Sequence, residues 1–406
     1  MLKSIYGTKQ AGTLWYAFVD DKLVHLGYTR SCHDICVYIY SSTDGKIFII
    51  CLVYVDDLLF VGSKASLATI HEHIDYFESQ LTKLTTETNV TRYIGVDIKR
   101  DRKNHTITLS QKPYQMEYVK QNVPGDAPSK PLPLPYQVDY NEQEGTEEPI
   151  QKQVGQLRFL ADRTKMEIQA AVGILGSAAA HPSKEHVKGT VLIGQYLKGT
   201  LDDGLKLGGM DINIKPFAYS DANYDPRYRS RLASIWFLNH ESGAFSGQSV
   251  LDPNIRHSSC GTEADALDVT TRKAEYLRGF FAELGFPQLE PTVIYTDSKS
   301  AKQLIELFHV GSNSAHLVMR LNYLHEQTQR KNIVLKYINT DDNVADIQTK
   351  LLAIPKFEKF KDIMLHGHGG ITPLAKTLIV PEPNRSKVMR NILKHKLKVS
   401  KGIINK

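Results

Sequence analysis

Two adjacent aspartates, Asp56 and Asp57, interrupt an otherwise apolar run that begins at Ile47. Burying unpaired carboxylates costs several kcal/mol or more, so the pair must either reach solvent in a turn or be neutralised by a cation. A tight hairpin turn between predicted strands 47–55 and 58–62 satisfies both conditions, because it places the two acids at its tip as hard oxygen ligands suited to magnesium. An ordinary aspartate-containing turn explains the same pair.

Four further acids occupy positions in the C-terminal half where metal chemistry would use carboxylates: Asp221, Glu263, Asp297 and Asp346. Asp221 follows a predicted strand, and Asp297 ends another. Glu263 opens a predicted helix and lies on its core-facing stripe, where a carboxylate usually needs a partner. The remaining positions of that stripe are Leu267, Thr270, Ala274, Leu277, Phe281 and Leu284.

Each of these acids also has a simpler explanation. Asp297 is well placed to cap a helix that begins at Ser298, and Glu263 can complement a helix dipole in the first turn. Asp221 suits a turn and Asp346 suits the surface. Four coincidences along one order of strands and helices are less expected than any one of them.

The elements that must position these acids follow from hydrophobic periodicity and turn signals. Up to residue 123 the pattern is mixed α and β, with a hairpin turn at Asp44-Gly45. The predicted strands are 35–41, 47–55, 58–62, 93–99 and 106–110, and the predicted helices are 66–81 and 112–121. A proline-rich and acidic stretch, 124–149, reads as a linker that buries little.

The second half begins with helical patterns and ends with an alternation of strands and helices. Helices are predicted at 154–161, 168–180 and 186–197. Three strands (215–220, 232–239, 244–250) then precede a helix at 262–284, a strand at 292–296, helices at 298–308 and 314–330, a strand at 333–339 and a short final helix. This order predicts a mixed sheet with helices on its faces.

Composition sets only broad limits on function. A chain of 406 residues is expected to form two or three domains at roughly 150 residues each. Net charge +6 fits a polyanionic partner but does not require one. Cys32 and Cys36 lie close together, yet no second ligand pair follows at zinc-finger spacing, which favours reduced thiols. Without a signal pattern or a membrane-length apolar run, we expect a soluble intracellular protein.

The motif Tyr54-Val55-Asp56-Asp57 resembles the palm motif of reverse transcriptases, in which these acids hold metal ions for nucleotide addition. Two further stretches resemble the copia class of retrotransposon polymerases in the same order. They are residues 2–11 with Trp15-Tyr16, and residues 92–98 with 107–111 and Tyr114. Tyr196-Leu197-Lys198-Gly199-Thr200 is similar to the copia connection between polymerase and nuclease.

Residues 213–352 resemble the ribonuclease H of copia elements. The phrases are Tyr219-Ser220-Asp221-Ala222-Asn223, Thr262-Glu263-Ala264-Asp265, Tyr295-Thr296-Asp297-Ser298 and Ala345-Asp346-Ile347-Gln348-Thr349-Lys350. The resemblance places the family's four catalytic, metal-binding acids on Asp221, Glu263, Asp297 and Asp346. It implies two magnesium ions, with manganese as the alternative, and hydrolysis of RNA in RNA/DNA hybrids. His316 stands beside Ala315 where the family has Lys-His, and a surface position suits it better.

The chain also departs from the family. Cys260-Gly261 replaces a usual Ser-Ser pair, Asp265-Ala266 replaces Glu-Tyr, and residues 164–168 (Thr-Lys-Met-Glu-Ile) replace Thr-Arg-Pro-Asp-Ile. The family's third polymerase aspartate and its triphosphate-binding basic residues lie before the segment with which this sequence starts. We therefore expect an N-terminally truncated polymerase that is inactive alone, and the preceding part of the polyprotein as a candidate partner.

The sequence thus predicts an α+β or α/β multidomain chain. Its parts would be a partial reverse transcriptase palm (1–123), a linker (124–149), a helical thumb or connection (150–212), a ribonuclease H-like domain (213–352) and a basic tail (353–406), which is most basic from Pro381 onward. The tail either attracts phosphate backbones or is a solvated end. The alternative to a nuclease is a catalytically inactive retroelement remnant that only binds nucleic acid.

Overall fold

The computed structural model describes residues 8–81, 84–140, 145, 148–211, 213–224, 229–252, 258–308 and 317–368. The chain divides into two compact units, one built around Met1–Thr88 and the other around Asn89–Glu275 and Leu289–Leu374. Among the described residues, no helix has both the length and the apolar character needed to cross a membrane. The expectations for His316 and for the basic tail from Pro381 onward lie outside the described residues.

The first unit is an antiparallel sheet of four strands in the order β1-β2-β3-β4, with two helices. Its elements are α1 (Ala11–His25), β1 (Thr29–Arg30), β2 (Val37–Ser41), β3 (Phe48–Tyr54), β4 (Asp57–Gly62) and α2 (Leu67–Gln80). Every second residue of β3 is buried, at Ile49, Cys51 and Val53, because side chains alternate across a strand. The predicted hairpins and the helix after them are confirmed.

A second antiparallel sheet opens the other unit. It consists of β5 (Arg92–Tyr93), β6 (Val96–Asp101), β7 (Thr106–Ser110) and β8 (Leu205–Gly208). The prediction of one continuous strand from residue 93 to residue 99 is wrong, because a two-residue turn at Ile94 and Gly95 separates β5 from β6. Both turn residues have positive φ, 47° and 75°, as a hairpin turn of this type requires.

Four helices lie between β7 and β8 in the chain, at positions close to the predicted ones. They are α3 (Lys112–Asn122), α4 (Gln151–Ala161), α5 (Gln169–Ser177) and α6 (Lys184–Gly199). The expectation that residues 124–149 bury little is wrong for the described part of that stretch. Leu134 and Tyr140 are almost completely buried and belong to the apolar core of this unit. Proline content therefore restricts the backbone here without keeping the side chains in solvent.

The largest sheet has five strands in the order β11-β10-β9-β12-β13. The elements of this part are β9 (Phe217–Asn223), β10 (Arg231–Phe237), β11 (Ala244–Leu251), α7 (Ser259–Glu283), β12 (Thr292–Thr296), α8 (Lys299–Leu307), α9 (Val318–Gln329), β13 (Ile333–Tyr337), α10 (Asp346–Thr349) and α11 (Ile354–His366). β9, β10 and β11 are antiparallel neighbours, whereas β12 lies parallel to both β9 and β13. The predicted mixed sheet with flanking helices is confirmed.

One apolar core joins α4–α6 to the five-stranded sheet. Leu160 and Ile193 from the helices and Phe217 and Ile235 from the sheet are members of the same buried cluster. The cluster also includes Phe360 of α11, a helix that lies where the sequence predicted the start of a tail. The predicted domain boundaries at residues 123, 149, 212 and 352 stay predictions. The shared core shows that residues on both sides of 212 and of 352 pack together.

Candidate metal centre

The sequence pattern predicted Asp221 after a strand, but the structure places it inside strand β9. The strand continues to Asn223 because its backbone pairs with β10 along its whole length, with Asp221 opposite Ala233. The residue is 1% exposed. The carboxylate is thereby attached to a strand that pairs with a neighbour on each side, β10 and β12.

Register brings a second acid to the same edge of the sheet. Tyr295 of β12 pairs with Tyr219 of β9, and the strands run parallel. Asp297 and Asp221 each lie two residues beyond this pair, so they reach the same level of the sheet. Asp346 is the first residue of α10, and one oxygen from each of these three aspartates lies within 4.8 Å of the others.

The simpler explanations for two of these aspartates fail. Helix α8 is capped by Ser298, whose hydroxyl accepts a hydrogen bond from the backbone N–H of Ala301, at 3.2 Å. Asp297 instead accepts a hydrogen bond from the Thr340 hydroxyl, at 2.8 Å. Asp346 is 1% exposed and is no surface residue.

Glu263 lies in the second turn of α7, because that helix begins at Ser259 rather than at the predicted residue 262. It is not one of the three acids that meet within 4.8 Å. Burial raises the pKa of Glu263 well above its ordinary value, and the negative charges of Asp221 and Asp297 raise it further. One of its carboxylate oxygens, Oε2, is buried and has no hydrogen-bond partner in the part of the chain that the structure describes.

Asp221 has a similar electrostatic environment. The pKa of Asp221 is raised to about 7. Burial is the main cause, the ammonium group of Lys350 opposes it, and the negative charges of Asp346 and Asp297 add to the increase. The Thr349 hydroxyl donates to its Oδ2 atom, and its Oδ1 atom is buried without a partner. Two acids with unpartnered buried oxygens beside like charges form an environment that favours a bound cation.

Sequence reasoning did not identify the two lysines that reach these acids. Lys350 Nζ lies 2.7 Å from Asp346 Oδ1 and 3.5 Å from Asp221 Oδ2. Lys356 Nζ, from α11, lies 2.8 Å from Asp346 Oδ2. The position of Lys350, four residues after Asp346, could have predicted its contact with that acid. No local sequence pattern predicts the contact of Lys356.

Asn343 fixes the loop that leads to Asp346. Its amide nitrogen donates to the carbonyl of Ser220 in β9, at 3.1 Å, and its side-chain oxygen accepts from the backbone N–H of Ala345, at 3.3 Å. The side chain is fully buried. The side chain of Asn343 therefore connects Ser220, which precedes Asp221, to Ala345, which precedes Asp346.

The donor set fits a hard divalent cation. Carboxylate oxygens are the ligands that Mg²⁺ and Mn²⁺ prefer, and buried acids at this density are normally paired with a cation. Asp221, Asp297 and Asp346 would supply the convergent ligands, with Glu263 beside them. No other group of three acidic, histidine or cysteine ligands comes together in the part of the chain that the structure describes.

Asp56 and Asp57 lie at the hairpin between β3 and β4, as predicted. Tyr54 pairs with Asp57, so Val55 and Asp56 form a two-residue turn. Both aspartates are exposed. The indole N–H of Trp15 donates to the carbonyl of Val55, at 2.6 Å, and holds the turn against α1.

Comparisons with known proteins show which protein families this chain resembles. Residues 1–134 match the family described as reverse transcriptase (RNA-dependent DNA polymerase). The chain is 30% identical over 376 residues to the retrovirus-related Pol polyprotein from transposon TNT 1-94 of Nicotiana tabacum, which covers 89% of this chain and 28% of that protein. The chain is a relative of copia-type Pol polyproteins.

Other copia-type Pol relatives show the same coverage. The Pol polyprotein from transposon RE1 of Arabidopsis thaliana is 27% identical, over 88% of this chain and 24% of that protein. The truncated transposon Ty1-A Gag-Pol polyprotein of Saccharomyces cerevisiae is 24% identical, over 90% of this chain and 32% of that protein. The chain thus spans about a quarter to a third of the length of these Pol polyproteins.

Solved structures similar to this Pol relative include LC11-RNase H1 from compost, at 17% identity and a TM-score of 0.27 over 32% of this chain and 90% of that chain. The foamy viral protease-reverse transcriptase in complex with dsDNA matches at 13% identity and a TM-score of 0.25, over 37% of this chain and 92% of that chain. Residues 1–134 of the chain thus match a reverse transcriptase family, and the acidic cluster belongs to the mixed five-stranded sheet of the second unit.

Proposed function

We propose that the unit around the acidic cluster is a ribonuclease H that hydrolyses the RNA strand of RNA/DNA hybrids with two magnesium ions, for which manganese can substitute. The observation that carries this proposal is the convergence of Asp221, Asp297 and Asp346 within 4.8 Å on the edge of a mixed sheet. The buried oxygens of Asp221 and Glu263 that have no hydrogen-bond partner among the described residues support it, because a bound cation would stabilise them.

Divalent cations held there would activate water and stabilise the leaving oxygen of a phosphodiester. The protein itself holds the carboxylate ligands in position. Asp221 is fixed by the central strand, and the hydroxyl groups of Thr349 and Thr340 orient the Asp221 and Asp297 carboxylates through hydrogen bonds. Selection of RNA would rest on its 2′-hydroxyl, which DNA lacks.

The test of this proposal is cleavage of a labelled RNA/DNA hybrid by the full chain with magnesium. We expect Asp297→Asn to reduce the cleavage rate by at least about 100-fold, because the amide can keep the Thr340 hydrogen bond but loses the charge that holds a cation. Asp362→Asn, on an exposed acid of α11, is the matched control and should cleave at the wild-type rate.

Absence of cleavage by a folded wild-type chain would contradict the nuclease proposal. That result would favour the second candidate, a remnant that binds nucleic acid without cutting it. One observation supports this candidate: Lys350 and Lys356 each contact one oxygen of Asp346 and bring two positive charges to that carboxylate. Hybrid binding that persists in EDTA and in Asp297→Asn would then be its signature.

We also propose that the hairpin with Asp56 and Asp57 does not support polymerisation by this chain alone. Both acids are exposed, and among the described residues no third acid joins them in a ligand group. Two carboxylates at an open turn leave a magnesium ion mostly hydrated and weakly bound. Primer extension on an RNA template should therefore give no incorporation; nucleotide addition that is lost in Asp56→Asn would overturn this proposal.

A further inference from the structure

Two cations already reside in the acidic cluster, and both are lysine side chains. We propose that Lys350 and Lys356 act as internal counter-ions that compete with a divalent cation for Asp346 and so set the metal affinity of the site. The inference rests on the proposed metal-dependent nuclease, and it adds two positioning residues to that site. Lys356 belongs to α11, beyond the limit of the nuclease predicted from the sequence.

The geometry at Asp346 carries the argument. Lys350 Nζ contacts Oδ1 at 2.7 Å, and Lys356 Nζ contacts Oδ2 at 2.8 Å. Lys356 also donates to the backbone carbonyl of Thr340, at 3.1 Å, which fixes its head group from a second side. Each oxygen of this carboxylate therefore has a charge-assisted partner before any metal arrives.

The two sides of the cluster differ. Asp221 Oδ1 and Glu263 Oε2 are buried and have no hydrogen-bond partner among the described residues, whereas both Asp346 oxygens are engaged by ammonium groups. A first divalent cation that uses the free oxygens needs no lysine to move. A second cation at Asp346 must displace at least one ammonium group, and we expect it to bind more weakly.

Charge balance leads to the same result. When a bound cation keeps all four carboxylates ionised, they carry a formal charge of −4 and the two ammonium groups carry +2, which leaves −2 and matches one divalent cation. Removing one lysine increases the negative charge by one unit next to the second position. At distances below about 4 Å, a unit charge in a partly buried site is enough to change the affinity for a cation by tenfold or more.

Isothermal titration calorimetry of the full chain with Mn²⁺ alone tests the proposal without a nuclease assay. We expect a tight and a weaker binding event in the wild type. Lys356→Met should tighten the weaker event by at least about tenfold, since it removes a competing charge. Lys356→Arg keeps the positive charge and should change the affinity of the weaker Mn²⁺ binding event little. Melting in EDTA should show a lower Tm for Lys356→Met, because Asp346 loses a counter-ion.

Lys359→Met is the matched control. Lys359 lies on the same helix but pairs with Asp342, at 2.7 Å, rather than with the acidic cluster. Its titration should equal that of the wild type. Lys350→Met is the second test variant and should also tighten Mn²⁺ binding. It keeps the proposal falsifiable if Lys356→Met does not fold.

The outcomes separate this proposal from the nuclease itself. Mn²⁺ binding that is unchanged in both Lys350→Met and Lys356→Met would overturn the counter-ion role and leave the nuclease proposal standing. Absence of Mn²⁺ binding in the wild type and in both variants would overturn the two proposals together. Binding that emerges only in the lysine variants would support the counter-ion role while arguing against a wild-type nuclease.

Discussion

At the scale of single residues, His368 has an environment that makes stability depend on pH. Its ring packs among Phe217, Tyr219 and Phe237, and its Nε2 atom lies 2.8 Å from the Tyr219 hydroxyl. The pKa of His368 is lowered to about 4, mainly by burial and also by the nearby ring of His240. A neutral imidazole is therefore part of this apolar cluster.

Protonation of His368 should be destabilising in mild acid. The unfolded chain takes up a proton at His368 near pH 6.5, whereas the folded chain does so only near pH 4. Between these values the unfolded state binds more protons at this residue, so the contribution of His368 to the free energy of unfolding falls by up to about 3 kcal/mol as the pH decreases. We expect His368→Phe to remove this contribution, so that the free energy of unfolding of the variant falls less, or rises more, than that of the wild type in urea denaturation from pH 7 to pH 4.

His366→Phe is the control for that series. His366 is half-exposed and lies 3.9 Å from Asp362, so its replacement should leave the slope of the wild type unchanged. An equally steep loss of stability in His368→Phe would show that other groups carry the acid sensitivity.

At the scale of an element, the hairpin β3-β4 contains a strained residue. Val55 has φ of 52°, in the left-handed region that β-branched side chains rarely adopt. Hairpin turns of two residues favour positive φ, and asparagine or glycine would normally occupy such a position. The strain is held in place by the two paired strands and by the Trp15 hydrogen bond to the Val55 carbonyl. Strained backbone beside acidic residues is typical of functional sites.

Val55→Asn should stabilise the first unit by about 1 kcal/mol, because asparagine tolerates this conformation and the Trp15 hydrogen bond uses only the backbone. Hydrogen exchange of the β3 and β4 amides is the measurement, and we expect slower exchange. Val61→Asn is the control: it replaces an exposed valine inside β4, where asparagine is unfavourable, and should accelerate exchange. Faster exchange in Val55→Asn would contradict the assignment of strain.

At the scale of the whole molecule, the helices that precede the five-stranded sheet share its core. Leu160 of α4 is fully buried in the same cluster as Phe217 and Ile235 of the sheet. The carbonyl of Gln348 in α10 accepts from Ser249 of β11, at 2.6 Å, and the side chains of Gln348 and Gln169 are in contact. The helical connection is therefore part of the scaffold that holds Asp346.

Leu160→Ala should destabilise the sheet together with the helices. We expect a loss of about 2–5 kcal/mol from the cavity, with hydrogen exchange accelerated in β9 and β10 as well as in α4. Leu307→Ala, at an exposed position of α8, is the matched control and should cost little. Exchange that accelerates in α4 alone would show that the helices α4–α6 and the five-stranded sheet unfold separately.

Much of this molecule could be predicted from the sequence. Most strands and helices lie within a few residues of their predicted bounds, because periodicity and turn residues are local signals. The linker was misjudged: its prolines indicated solvent, yet Leu134 and Tyr140 pack into the core. The turn at Ile94 and Gly95 was missed, because the flanking residues read as one strand.

The sequence by itself determined which residues could hold a metal and in what order of elements they stand, since composition and periodicity are properties of the chain. Only the tertiary structure decided which of them meet. The register of β9 and β12 aligns Asp221 with Asp297, and α11 brings Lys356 to Asp346. Such contacts depend on strand pairing and helix packing between distant segments, and local sequence patterns do not encode those distances.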